Sequence, residues 1–190
     1  LASAPQDDLD VSLLRQFDVL GTRDAADARG FIAHAFSPHS LTVLDGDLDV
    51  QMYYTELPAM GVALLSYGAT ARIETKLNTW FGAIYPLSGT VEAAGPRERH
   101  TAGADGAIVL SPSEQLPITF SAEATVLIVK MDRVAVERAA IRAYSRPLTG
   151  PLLFHMAMDR SGGKAGTFWR LAELLVRELG TPGAGIREPA

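Results

Sequence analysis

Residues 125–144 read TVLIVKMDRVAVERAAIRAY, and the fold turns on the break inside that string. Up to Met131 it is β-branched and apolar, the composition of a strand. From Asp132, a residue that caps helices, the pattern becomes helical and runs to Tyr144, with Pro147 ending it. Everything before the break reads as short strands, and everything after it as helices. The second helix is capped by Thr167 and closes at Gly180.

Working back from the break, residues 41–44, 50–55, 60–67, 70–77 and 80–87 read as strands parted by Gly, Pro and Asp turns. Thr70 to Leu77 alternates cleanly. Thr70, Arg72, Glu74 and Lys76 share one face, and Ala71, Ile73, Thr75 and Leu77 share the other. Residues 80–87 are apolar on both faces and belong in a sheet centre. Val91 and residues 107–110, 118–120 and 125–131 supply further strands. Ahead of them, Asp24 caps a helix whose Ala28, Phe31, Ile32 and Ala35 recur at helical spacing until Pro38 stops it. No helix interrupts the strands, which excludes a doubly wound parallel sheet and predicts a sandwich or barrel. The fold class is mostly β with helices.

In the last helix Phe168, Leu171, Leu175 and Leu179 form one apolar stripe. Trp169, Ala172 and Val176 form a second beside it. One stripe docks a helix on its own sheet, so Trp169, Ala172 and Val176 are expected to face a partner subunit.

Composition narrows the chemistry. The chain has 190 residues, enough for one domain with a substantial core, and no cysteine, so disulfides and thiolate zinc sites are excluded. A net charge of −5 argues against this chain gripping nucleic acid by itself. No run reaches the length of a membrane span. His34, His39, His100 and His155 include no His-x-His pair that would aim two imidazoles into a barrel, so no metal is expected. Asp45-Gly46-Asp47-Leu48-Asp49 half-matches a calcium loop, but Val50 stands where that loop needs glycine. Ser161-Gly162-Gly163-Lys164 resembles the end of a phosphate loop, but Ala165 replaces the magnesium-binding hydroxyl, and the string reads as a loop. No nucleophile elbow occurs. What remains is a set of strand aromatics with one cationic group. Tyr54, Tyr67, Arg72, Trp80 and Tyr85 are the candidate ligand-binding residues. Trp80 and Tyr85 are an odd number of residues apart, so on a regular strand only one of them faces a given cavity.

Four strings then stand in order: Tyr85-Pro86-Leu87-Ser88-Gly89, Gly106 to Pro112, Leu127 to Asp132, and Gly150-Pro151-Leu152-Leu153-Phe154. Their order and spacing resemble the N-terminal ligand-binding and dimerisation domain of AraC/XylS-type transcriptional regulators, over roughly residues 25–180. The resemblance implies a cupin-like antiparallel jelly-roll barrel followed by a C-terminal helical dimerisation segment. It implies a cytoplasmic sensor that holds a small organic effector, forms a homodimer and uses no cofactor. DNA would be bound only through a helix-turn-helix domain outside this chain, and the protein would not be an enzyme. The expected organisation is an N-terminal arm over 1–23, mobile over its first ten residues. A barrel with a leading helix follows over 24–131, then a helical dimerisation segment over 132–180, and a Gly/Pro linker over 181–190. The alternative is a cupin-type isomerase or epimerase without a standard metal site, using a tyrosine with His34, His100 or His155 as acid and base.

Overall fold

The computed structural model describes residues 9–112 and 115–181. The first eight residues of the expected arm and residues 182–190 of the expected linker lie outside these. A 3-10 helix at Val11–Phe17 leads into β1 (Asp18–Thr22) and α1 (Ala25–Ala35). The β body comprises β2 (His39–Asp45), β3 (Val50–Leu57), β4 (Met60–Ser66), β5 (Thr70–Lys76), β6 (Trp80–Ser88) and β7 (Val91–Ala94). It continues through β8 (Arg99–Ala102), β9 (Gly106–Leu110), β10 (Gln115–Phe120) and β11 (Thr125–Asp132). Then come α2 (Arg133–Tyr144), β12 (Ala157–Asp159) and α3 (Gly163–Gly180). Asp24 and Asp132 cap as expected: the Asp24 carboxylate accepts from the Ala26 and Asp27 amides, and that of Asp132 from the Ala135 amide at 2.8 Å.

Two antiparallel sheets face each other in a jelly roll. One has the order β1-β3-β4-β11-β6-β9-β12 and the other β2-β5-β10-β7-β8. Their facing sides enclose the first core, which includes Met52, Leu65, Trp80, Ile84, Ile118 and Ile128. The period of two sends the intervening residues to the far side of the larger sheet. There Val62, Leu64, Tyr85, Leu127 and Val129 form a second core, closed by α3 and the 3-10 helix. A central strand of this sheet therefore has no wet face, which is why β6 reads as continuously apolar.

Three strands escaped the sequence reading. β1 and β12 are the outer strands of the large sheet and β8 that of the small one, and all three are short. α3 also begins four residues before Thr167. Gly162 is its N-cap without a side-chain bond, and the Thr167 hydroxyl instead donates to the Gly163 carbonyl inside the first turn. Residues 9–22 of the expected arm are built into the fold. Leu14 is buried in the second core, and Gln16 Nε2 donates to the Leu179 carbonyl at 3.2 Å.

The stripe expected to face a partner is instead the buried one, and of the other stripe Leu179 is buried beside it, Phe168 and Leu175 are half-buried and only Leu171 points outward. Trp169, Ala172 and Val176 are buried against the chain's own sheet, with the Trp169 ring 4.7 Å from that of Tyr85 and the Arg160 guanidinium 3.6 Å from the indole centroid. Leu171 and Leu174 point outward instead, 57% and 53% exposed. Periodicity gives the spacing of a stripe, but which stripe meets the sheet depends on shape. Here the flat indole fits between Tyr85 and Arg160.

Three of the four ordered strings are structural joints, and the third, Leu127 to Asp132, lies within β11. Gly89 has φ +64°, and a Cβ there would lie 2.6 Å from both the Ala124 nitrogen and Ser121 Oγ. Ser88 Oγ donates to the Glu123 carbonyl, and the Thr90 amide donates to Ser121 Oγ, locking this turn to its neighbour. Ser111 is buried, and its Oγ accepts from the Phe154 amide at 3.0 Å, joining the second string to the fourth. We expect Gly89→Ala to lose about 2–4 kcal/mol, combining left-handed strain with a backbone clash. Urea unfolding should show a lowered midpoint with an unchanged circular dichroism spectrum, whereas an unchanged midpoint would mean the two turns can separate freely.

Candidate functional site

The jelly roll is closed at one end by the segment that leaves α1. Lys130 on β11 donates from Nζ to the Ala35 carbonyl at 2.8 Å. Trp80 on β6 donates from Nε1 to the Phe36 carbonyl at 3.0 Å and to Ser37 Oγ at 2.9 Å. Thr75 on β5 donates from Oγ1 to the Pro38 carbonyl at 3.2 Å. Four consecutive residues are thus tied to three strands, and those strands come from both sheets. Pro38 stops the helix at this point, and the chain turns directly into β2.

Beneath this strap lies a narrow, partly open cavity between the sheets. Ile32, Ile73, Ile84, Ile118 and Ile128 line it, with the rings of Phe36, Tyr67, Trp80 and Phe120. No charged side chain is among its lining residues. Its free space is about 40 Å³, close to the ~30 Å³ share of one water and far below the ~300–1,000 Å³ of a typical ligand pocket. A larger groove of about 830 Å³, lined by Arg23, Asp47, Asp49 and Glu123, is open to solvent and holds none of the unpartnered buried groups.

Two lining groups stand out. The Tyr67 hydroxyl and His39 Nε2 are buried with no hydrogen-bond partner among the described residues. His39 Nδ1 lies 3.0 Å from the Ser37 carbonyl, an acceptor, so Nδ1 carries the proton. Nε2 is then a bare acceptor. Burial lowers the His39 pKa, the Ser37 carbonyl opposes this, and Arg29 adds to the lowering, so the imidazole is neutral at pH 7. Burial raises the Tyr67 pKa far above its ordinary value, so the phenol stays protonated. Both groups are displaced away from neutrality, the reverse of what acid–base catalysis uses.

Of the residues singled out from sequence, Trp80 and Tyr67 line this cavity. Tyr54 stands at its rim, ring centroid 5.8 Å from that of Phe36 and hydroxyl 3.4 Å from Lys130 Nζ. Its pKa is pushed up to about 12, mainly by burial and then by Glu56. Tyr85 faces the second core instead, as its odd spacing from Trp80 requires. Arg72 lies on the outer, wet face of β5, paired with Glu74 at 3.0 Å. Neither Tyr85 nor Arg72 reaches the cavity. His39 was missed because the strand was read from Leu41. Starting it two residues earlier puts His39 on the inner face, opposite Thr75. Among the described residues no group of three or more His, Asp or Glu is placed to hold a metal ion, and no helix is long and apolar enough to cross a membrane.

Two facing antiparallel sheets define a cupin-like jelly roll. Residues 28–190 match the model of the AraC-binding-like domain, and the chain belongs to that family. Among solved structures it is similar to the AraC-like transcriptional activator CuxR, with a TM-score of 0.65 and 12% identity over 88% of this chain. The chain spans 64% of that activator's length. The cupin domain of Schizosaccharomyces pombe Cnp3 is a more partial match, with a TM-score of 0.40 and 12% identity over 58% of this chain and 77% of that one. No curated protein matches by sequence.

The lowered His39 pKa gives a signed expectation. The unfolded chain takes up a proton at His39 near its ordinary value of 6.5, while the folded chain resists it. His39 therefore contributes stability above pH 6.5 that is lost as the pH falls toward the lowered value. We expect unfolding free energy to fall less between pH 7.5 and 5 in His39→Asn than in the parent chain. Parallel pH profiles would remove His39 from the buried set.

Proposed function

We propose that this chain is the effector-sensing and dimerisation part of an AraC-type transcription regulator, with DNA bound by a helix-turn-helix domain elsewhere in the protein. The observation that carries the sensing role is the narrow cavity without charged lining residues in which His39 Nε2 and the Tyr67 hydroxyl have no partner among the described residues. Buried polar groups are nearly always satisfied, so two exceptions on the wall of one cavity call for an occupant. In this reading the ligand is a small organic molecule with an apolar or aromatic body. The cavity is too small for it as it stands, so it prefers an arrangement in which the Ala35–Pro38 strap has shifted. Differential affinity for two arrangements is what a switch requires. Family membership and the likeness to CuxR support the regulatory reading.

The pairing role moves to the outward face of α3. Leu171 and Leu174 are neighbours at i,i+3, with Phe168 and Leu175 half-buried at their margins. α2 has no buried residue at all and exposes Val134, Ile141 and Tyr144. A twelve-residue helix is marginal without packing, so a second subunit would supply its missing cover.

A second reading, a metal-free cupin isomerase or epimerase, is favoured by one observation: a histidine and a tyrosine share the cavity. The displacement of both pKa values away from neutrality weighs against it.

We expect Leu171→Glu with Leu174→Glu to give a folded monomer in sedimentation equilibrium. Val176→Glu should instead cost stability, since it buries a charge in the second core. A monomer from Val176→Glu with intact tertiary structure, or an unchanged oligomer from the double variant, would put the interface elsewhere.

A further inference from the structure

Three buried side-chain atoms lack a partner among the described residues; the Tyr85 hydroxyl lies in the second core, and the two in the cavity define more than the place of a ligand. His39 Nε2 can only accept, because Nδ1–H is committed to the Ser37 carbonyl at 3.0 Å. The Tyr67 hydroxyl can donate, and its hydrogen has no acceptor among the described residues. The Trp80 and Thr75 donors on the wall are already engaged. Trp80 Nε1–H is shared between Phe36 and Ser37, and the Thr75 hydroxyl is given to Pro38. Lys130 and Glu56 are 3.6 Å apart at the rim and do not line the cavity. An ionised ligand would lose its hydration and meet no opposite charge, a cost of several kcal/mol.

Resting on the effector-sensing reading, we infer that the ligand is an uncharged molecule with an apolar ring or branched body and a hydroxyl or N–H group. That group donates to His39 Nε2, and an oxygen of the same molecule accepts from the Tyr67 hydroxyl. The pair is a polarity filter. A hydrocarbon leaves both protein groups unmade, and an acid or amine brings an uncompensated charge. Alcohols, phenols and amides satisfy both demands. Selectivity of this kind exceeds what shape alone supplies, because a site built to hydrogen-bond a hydroxyl rejects the analogue that lacks it.

The test titrates the whole chain at pH 7.5 with three single-ring probes: benzyl alcohol, toluene and benzoate. Affinity is read by calorimetry and location by the methyl resonances of Ile84, Ile118 and Ile128. We expect benzyl alcohol to bind at least about tenfold more tightly than toluene, with benzoate weakest. Tyr67→Phe and His39→Leu should each narrow the gap between benzyl alcohol and toluene to about twofold. Tyr67→Phe removes a single oxygen, so it keeps the test intact should His39→Leu fold poorly. If toluene binds as tightly as benzyl alcohol at these methyl groups, or the gap survives both variants, the filter is overturned while the cavity stands. Tightest binding by benzoate overturns the uncharged class. If none of the probes moves these methyl groups, the effector-sensing reading falls and the inference with it.

Discussion

A β-sheet covered on both faces has to find apolar partners twice, and the larger sheet of this protein meets that demand with two different layers. Its inner face meets the smaller sheet, and its outer face meets α3 and the 3-10 helix. Val62 to Leu65 in β4, Ala83 to Tyr85 in β6 and Val126 to Val129 in β11 are therefore apolar at successive positions, alternating between the two cores. Fully burying one aliphatic or aromatic side chain contributes about 1.5–3 kcal/mol. The second core, with Tyr85, Leu127, Trp169, Val176 and Leu179 all buried, is thus a major part of the stability and not an accessory. It also uses up the stripe of α3 that would otherwise be free. The apolar surface that α3 leaves exposed is narrower than the sequence suggests and centres on Leu171 and Leu174.

The same sheet sets the geometry of the interior. Its inner residues Trp80 and Lys130, with Thr75 from the opposite sheet, hold the strap that follows α1. Each hydrogen bond contributes about 1 kcal/mol net, so the strap is held by a few kcal/mol. A ligand of micromolar affinity has about 8 kcal/mol of binding free energy, which exceeds that hold. On the effector-sensing proposal, the strap would be weak enough to yield to such a ligand, and it covers an interior with about 40 Å³ of free space. The Lys130 ammonium also sits at the C-terminal end of α1, where the helix dipole favours a cation.

Much of this was legible in residue patterns. The alternation over Thr70–Lys76 sorts inner from outer residues, and the Asp24 and Asp132 caps start their helices. The odd separation of Trp80 and Tyr85 places them in different cores. The ordered strings resembled a regulator domain because three of them are joints, and Gly89 and Ser111 show why such positions accept few substitutes. What was not legible depended on tertiary choice. Arg72 sits on a polar strand face, and composition does not say whether that face lines a cavity or meets water. The two stripes of α3 are equally apolar, and only the Tyr85–Arg160 seat for Trp169 decides between them. His39 lay two residues ahead of the strand start that hydrophobicity suggested. Outer strands such as β8 and β12 have too few residues to show a period.

The chain's two tryptophans fall one in each core, Trp80 between the sheets and Trp169 under α3. Fluorine NMR of 5-fluorotryptophan-labelled protein, titrated with benzyl alcohol, reads both at once. The account predicts that the Trp80 resonance moves with saturation while that of Trp169 stays in place. Movement of Trp169 with a stationary Trp80 would contradict it, placing ligand recognition on the helical side of the sheet.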